Sequence, residues 1–236
     1  MNTKKDIRTT RKKIIATLVG LVLTTIAFIG GTVAYFTDTV ETTNVIKSGS
    51  IKITQTETDR NGNPFVQNLM ILPAVLSTTT ESKAINGANY SFYNHANAID
   101  KVVTVNNVGK SDAYVRTLIL VPVIGSGATN RVQLITNQGA GIDWTVISDV
   151  EVGGVMHQLY VATYDQKLTA GKSSSPSLLQ VYLAPETTSE DIENVNDITV
   201  RVISQAMQVG GFESVSPAQA LDTGFGAITA TNHPFN

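Results

Sequence analysis

Three histidines, His95, His157 and His233, are the side chains best suited to acid-base or metal chemistry at neutral pH. A zinc peptidase of the HExxH type needs a glutamate directly after the first of two histidines on one helix. Ala, Gln and Pro follow the three histidines here, so that motif is absent. We interpret all three as structural side chains, although spacing alone leaves open a site assembled from distant residues.

Two loops have the composition of binding motifs but not their spacing. In DRNGNP, residues 59–64, Gly62 holds the fourth position, whereas an EF-hand calcium loop needs glycine at the sixth. In AGKSSS, residues 170–175, the first glycine of a phosphate loop would fall at Gln166. We interpret both segments as turns. Since the G-x-S-x-G elbow is also absent, we predict no catalytic residue, no cofactor and no enzymatic activity.

An acidic cluster occupies the last third of the chain. Carboxylates this close together usually belong to a solvated loop and only occasionally form a weak calcium site. Calcium or another divalent metal is therefore the one cofactor alternative that the sequence leaves open. The cluster consists of Glu186, Glu190, Asp191, Glu193 and Asp197.

Strands separated by turn signals make up most of the remaining sequence. GSIKITQTET alternates Ile51 and Ile53 with polar residues, as a half-buried strand does. AYVRTLILVPVIG is more evenly apolar, which predicts a central strand with Pro122 marking a bulge or the strand end. Gly153-Gly154 joins two strand-like runs, which predicts a hairpin with a primed turn. We predict an all-β fold, an antiparallel jelly-roll-like sandwich.

Two helical pieces and one polar segment interrupt the strands. SPAQALDTGFG predicts a helix with Ser216 as N-cap and Pro217 in the first turn, ending at Gly224 in a left-handed cap. SEDIENV predicts a short acidic helix or loop. Residues 77–100 are rich in Asn and Ser and weakly patterned, and we predict a long excursion between strands. With no repeat and no clear linker, we predict one folded domain.

The N-terminus has the organisation of a secretory signal peptide. Residues 1–13 carry six basic side chains and one acid, and residues 14–29 carry no charge. Two glycines then end the apolar run, and Ala34 offers a small side chain for cleavage before Tyr35. The alternative is a retained transmembrane anchor, because the apolar stretch approaches the roughly 20 residues that span a bilayer. We predict that the hydrophobic signal helix is cleaved and that the rest of the chain is secreted.

Cleavage at this point divides the chain into a signal peptide, residues 1–34, an N-terminal arm, residues 35–47, and a folded domain, residues 48–236. The mature chain keeps 17 − 6 = 11 basic and 19 − 1 = 18 acidic residues, a net charge of −7. Such an acidic domain is poorly suited to bind nucleic acid. The chain has no cysteine, so no disulfide framework supports the fold.

The tract GGTVAYFTDTVETTNVIKSGSIKI, residues 30–53, resembles the N-terminal region of the TasA/camelysin family. In that family a Gly-Gly or Gly-Thr segment precedes an Ala cleavage site, an aromatic-x-Asp trio and a first strand of the form SG-x-(I/L)-x-(I/L). Looser matches to the strand pattern of the family extend over most of residues 14–225. The corresponding parts here are residues 30–32, Ala34, residues 36–38 and residues 48–53.

The resemblance implies a secreted jelly-roll subunit that assembles with copies of itself into extracellular biofilm-matrix fibres, after cleavage by a SipW-type signal peptidase. It also implies donor-strand exchange, in which the freed arm of one subunit pairs with the sheet of its neighbour. Thr and Val are frequent in the arm and favour strands. The candidate donor residues are Phe36, Asp38, Val40 and Val45.

Two other functions stay open from the sequence. Camelysin-type members of the family are described as casein-cleaving, so a secreted metalloprotease is the runner-up, although the HExxH motif is missing. The third reading is a monomeric adhesin, or an accessory subunit that anchors fibres together with other matrix proteins. The arm itself could instead be an ordinary disordered N-terminus.

Overall fold

The computed structural model describes residues 34–36, 51–66, 69–125, 129–139, 141–193 and 198–235. In these ranges the chain folds into an antiparallel all-β sandwich with two short helices, as predicted. The strands are β1 Ala34–Phe36, β2 Ile53–Thr58, β3 Leu69–Ile71, β4 Thr80–Ile85, β5 Ala88–Tyr93, β6 Ile99–Asp100, β7 Val102–Asn107, β8 Ala113–Pro122, β9 Val132–Thr136, β10 Ile142–Val152, β11 Val155–Tyr164, β12 Leu178–Leu183 and β13 Arg201–Gln208. The helices are α1 Ser189–Ile192 and α2 Pro217–Phe225.

The first layer of the sandwich is the sheet β10-β11-β8-β13. β8 lies inside this sheet, is buried along its whole length and ends at Pro122, which confirms the prediction of a central strand. Gly153 and Gly154 connect β10 to β11 with φ angles of 61° and 80°. Two positive φ angles are what a type I′ turn requires, so the predicted hairpin is also confirmed.

The second layer contains β2, β7, β12 and β9. β2 pairs with β7, and β12 pairs with β6 and β9. The amide of Ser174 donates to the carbonyl of Val105 at 2.8 Å, and that of Ser177 to Val103 at 3.0 Å. These bonds join β7 to the segment that leads into β12, so the strands form one continuous layer.

The main core lies between the layers, and β8 reaches it with alternate side chains. Ile119 and Val121 pack there against residues of β7, β9, β12 and β13. On the opposite face of β8, Leu118 and Leu120 pack beneath the C-terminal segment with Phe235, and α2 covers the same face further along. Because β8 is covered on both faces, its sequence is mostly apolar and does not alternate.

Residues 80–93 of the polar segment 77–100 form a β-hairpin, so the prediction of a long, weakly patterned excursion between strands was wrong. β4 and β5 pair along their full lengths across Asn86 and Gly87, whose φ angles of 50° and 86° suit a type I′ turn. Phe92 is fully buried against β7 and β12. The hairpin therefore covers the outer face of the second layer.

Helix α2 begins as predicted but ends later. The hydroxyl of Ser216 accepts from the amide of Gln219, and the side chain of Gln219 accepts from the amide of Ser216, both at 3.2 Å. The predicted end at Gly224 was wrong, because Gly224 lies inside the helix and the C-cap is Gly226, with φ 86°. A Cβ on Gly224 would lie 2.7 Å from Sδ of Met207, so this glycine is used for close packing.

Candidate functional site

The predicted cleavage junction lies on a β-strand. β1 contains Ala34, Tyr35 and Phe36, and it pairs antiparallel with β3. The junction and the first candidate donor residue, Phe36, are therefore held in a main-chain ladder. In this ladder Ala34 lies opposite Ile71, Tyr35 opposite Met70 and Phe36 opposite Leu69.

The other candidate donor residues, Asp38, Val40 and Val45, lie outside the described residues, as does the predicted signal helix. β3 was not predicted from the sequence. Its only local signal is the apolar run LMIL at residues 69–72, which is too short to distinguish a strand from a buried loop.

β3 is fastened to the core of the sandwich. Ile71 is fully buried in the cluster between the layers. Just beyond the strand, Pro73 forms a bridge with Leu183, and the amide of Ala74 donates to the carbonyl of Leu183 at 2.9 Å. A segment that pairs with β3 is therefore connected through it to β12 and the core.

A cleft of about 580 Å³ adjoins β3, and Leu69 forms part of its wall. Phe65 and Val66 line it from the β2–β3 connection, and Ile99 lines it from β6. Val66 is 63% exposed. The cleft lies within the range of roughly 300–1,000 Å³ that is typical of binding pockets, and its apolar residues are next to β3.

Arg60 organises the polar side of the cleft. Its guanidinium donates through Nε and Nη2 to the two carboxylate oxygens of Asp100, the second bond measuring 2.9 Å, and through Nη1 to Glu81 at 3.2 Å. The Cζ atom of Arg60 lies 5.1 Å from the centre of the Phe92 ring. The hydrogen bonds to Asp100 raise the pKa of Arg60, so the guanidinium stays charged and holds Asp100 in a fork-shaped pair.

A second ion pair is buried nearby. Lys101, at the break between β6 and β7, contacts Glu57 of β2 through its Nζ atom, and the two side chains are only 2% and 4% exposed. The ring centre of Phe65, which lines the cleft, lies 4.3 Å from the same nitrogen. The buried charge pair therefore contacts one residue of the cleft wall.

The segment DRNGNP is a turn, as the sequence indicated. Oδ1 of Asp59 accepts from the amides of Asn61 and Asn63, both at 2.8 Å, and Oδ2 accepts from the side-chain amide of Asn63 at 2.7 Å. The side-chain bond from Asn63 is the largest of the causes that lower the pKa of Asp59. The carboxylate is therefore engaged by donors of its own loop, as in an Asx-type turn.

Arg131 neutralises part of the predicted acidic cluster. It contacts Asp191 at 3.1 Å and Glu186 at 3.2 Å. Asp191 also accepts from the amide of Thr188 at 2.9 Å, as part of the capping box of α1, and this bond is the first cause that lowers its pKa. Asp197 lies outside the described residues.

The histidines are distributed over two regions. His95 stacks on Tyr93, with 4.9 Å between ring centres, and its Nδ1 accepts from the amide of Ser77 at 2.9 Å. His157 is buried in β11 of the first layer, and His233 is buried in the C-terminal segment that covers this layer. In the part of the chain that the structure describes, no group of three or more His, Asp or Glu side chains is placed to hold a metal ion.

No family model, curated protein or solved structure matches the chain. Over the described ranges, no helix is long and apolar enough to cross a lipid bilayer.

Proposed function

We propose that the protein is an exported structural subunit that assembles with copies of itself into extracellular biofilm-matrix fibres. In this proposal β3 accepts the N-terminal segment of a neighbouring subunit. The observation that supports it is the β1–β3 ladder, because the segment that contains the predicted cleavage junction has a main-chain partner on the sandwich.

Strand addition depends mainly on main-chain hydrogen bonds, which are the same whichever copy of the chain supplies the strand. Before cleavage the arm is joined to the signal peptide. Once it begins at Tyr35, its free end can leave β3, and the arm of a neighbour can take the same register. Such a contact is head-to-tail, so it propagates into a fibre instead of closing into a dimer.

The path of the chain between the layers supports a jelly roll as the subunit fold. β7, β8, β9 and β10 belong alternately to the second and first layers, and the chain changes layer again from β11 to β12 and from β12 to β13. Jelly rolls wind two sheets in this manner and cover most of their strand edges.

A disulfide between two chains tests the proposed pairing directly, because the native chain has no cysteine. Chains with Tyr35→Cys are mixed with chains carrying Met70→Cys under mild oxidation. Opposite Cα atoms in an antiparallel ladder are about 4.5–5.5 Å apart, which a disulfide can span. We expect a covalent dimer on a non-reducing gel. Val155→Cys, at the exposed start of β11 in the first layer, replaces Met70→Cys as the matched control and gives no dimer above background.

Electron microscopy of chains that begin at Tyr35 or at Ser48 tests the role of the arm. Fibres from the longer chain only support the proposal. Fibres from both keep the structural role but remove the arm from assembly. Monomers from both contradict the structural role, and a casein assay with and without EDTA then decides between a protease and an adhesin.

A further inference from the structure

The C-terminal segment, residues 227–235, lies across the outer face of the first layer. Phe235 is 2% exposed and packs with Leu118 and Leu120 of β8 and with Ile203 of β13. Ile228 and Ala230 are partly buried against the same cluster. Without this segment, an apolar face of the sheet would be in contact with water.

The end of this segment lies among two histidines and one arginine. His233 belongs to the segment, His157 to β11 and Arg201 to β13, and both histidines are buried, with 8% exposure each. Arg201 holds its Cζ atom 5.2 Å from the ring centre of Phe235 and donates to the carbonyl of Phe235 at 3.4 Å. Nε2 of His233 is buried without a hydrogen-bond partner among the described residues.

The surroundings of both imidazoles disfavour a positive charge. Burial is the largest cause that lowers the pKa of each histidine, and Arg201 lowers both pKa values further. His157 faces uncharged residues across both ladders, Pro122 of β8 and Val150 of β10. Main-chain carbonyls oppose these effects, among them that of Val155, 2.9 Å from Nδ1 of His157.

Two carboxylates flank this site on the neighbouring strand. Asp149 and Glu151 stand on either side of Val150 in β10, and both side chains are exposed. Exposed carboxylates are screened by water and by salt, so they offset little of the repulsion between buried cations.

We propose that residues 227–235 form an acid-sensitive latch, which stays closed while His157 and His233 are neutral and opens when these imidazoles take up protons. Protonation would add positive charge beside Arg201. At His233 the added proton would go to Nδ1, which accepts from the amide of Phe235 at 3.4 Å and would then face another donor. A buried charge without a partner is costly, whereas opening hydrates both rings. Opening also uncovers the apolar face around Leu118 and Leu120.

The direction of the pKa shifts defines the pH window. With the segment open, both histidines have pKa values near the ordinary value of 6.5, whereas with the segment closed they take up protons only at lower pH. The open state therefore binds more protons. Stability of the closed latch is fully present above pH 6.5 and declines as the pH falls through the lower pKa values of the closed state.

Hydrogen exchange of residues 227–235, measured by mass spectrometry on the full chain, tests the latch at pH 7.5 and pH 5.0. After correction for intrinsic exchange rates, we expect opening to increase about tenfold at pH 5.0 for each unit by which a histidine pKa is lowered. The double variant His157→Gln with His233→Gln has no imidazole to titrate and should show equal protection at both values. His95→Gln, at the hairpin, is the matched control and retains the response.

Equal protection of the unaltered chain at both pH values would overturn the latch. So would a pH response that persists in the double variant, because other groups would then be responsible. Phe235→Ala supplies the open reference, with low protection at both pH values. If the double variant does not fold, NMR titration of the two imidazoles in the unaltered chain decides, and a pKa of 6.5 or above for either one overturns the proposal.

Discussion

Lys101 and Glu57 are charged side chains withdrawn almost completely from water. Removing two charges from water costs several kcal/mol for each, and their attraction offsets this cost only while both are present. Arg116 is equally buried in β8, but it distributes its donors among Gln205, Asp222 and a main-chain carbonyl. Burial is the first cause that lowers the pKa of Arg116. The Lys101–Glu57 pair is therefore the simpler place to test the contribution of buried charge.

Lys101→Met should reduce the free energy of unfolding by about 3–5 kcal/mol, because it leaves the buried carboxylate of Glu57 without this cation. Urea denaturation at pH 7 measures the change. Adding Glu57→Gln to the same chain should restore most of the loss. Lys167→Met serves as the control, since Lys167 is 54% exposed in its pair with Asp112, and such pairs contribute about 1 kcal/mol or less. A loss of under 1 kcal/mol for Lys101→Met would contradict the prediction.

Elements whose pattern is local could be predicted from the sequence. Ile51 and Ile53 are buried and Lys52 is exposed, as alternation indicated. The hairpin between β10 and β11 follows from two consecutive glycines, which alone adopt two positive φ angles without strain. For these elements the residues themselves carry the structural information.

Elements that depend on distant partners could not be predicted in the same way. The β4–β5 hairpin carries a local turn signal in Asn86-Gly87 that our prediction did not use. Its strands are mostly polar, and they are attached by the side chain of Asn86, which donates to the carbonyl of Ser174 at 2.9 Å, and by the amide of Tyr93, which donates to Gln180 at 2.8 Å. The end of α2 was misplaced because packing against Met207, not local preference, determines which glycine is the cap. At the candidate site, β1 and β3 are far apart in the sequence, so only the fold brings them together.

Gly87→Ala should destabilise the β4–β5 hairpin by roughly 1–2 kcal/mol, because φ at this position is 86° and a Cβ is strained there. Space is not the cause, since no atom lies within 4 Å of the added Cβ. Proteolysis of the hairpin and thermal unfolding measure the loss. Gly210→Ala is the matched control, because that glycine also has open space but no left-handed φ, and we expect it to be neutral or slightly stabilising. Equal losses for both variants would contradict the backbone argument.

The molecule as a whole is organised around β8, whose residues belong to the clusters on both of its faces. The two layers are also connected at one edge by Gln55 of β2. Its Nε2 atom donates to the carbonyl of Val202 at 3.2 Å, and its Oε1 atom accepts from the hydroxyl of Ser204 at 2.8 Å. Because β8 of the first layer packs against the second layer and Gln55 connects their edges, neither layer can lose its packing without exposing the other, which favours a single cooperative unit.

Trp144, the sole tryptophan, should therefore report the unfolding of the whole sandwich. It packs against both clusters between the layers, and its Nε1 atom donates to the carbonyl of Asn137 at 3.0 Å. We expect its fluorescence and the far-UV circular dichroism to change at the same urea concentration, as in a two-state transition. Ile119→Ala, at a fully buried position of β8, should shift both curves together by about 2–5 kcal/mol. Separate midpoints, or a shift of one curve only, would mean that the layers unfold independently and that residues 48–236 are not one domain.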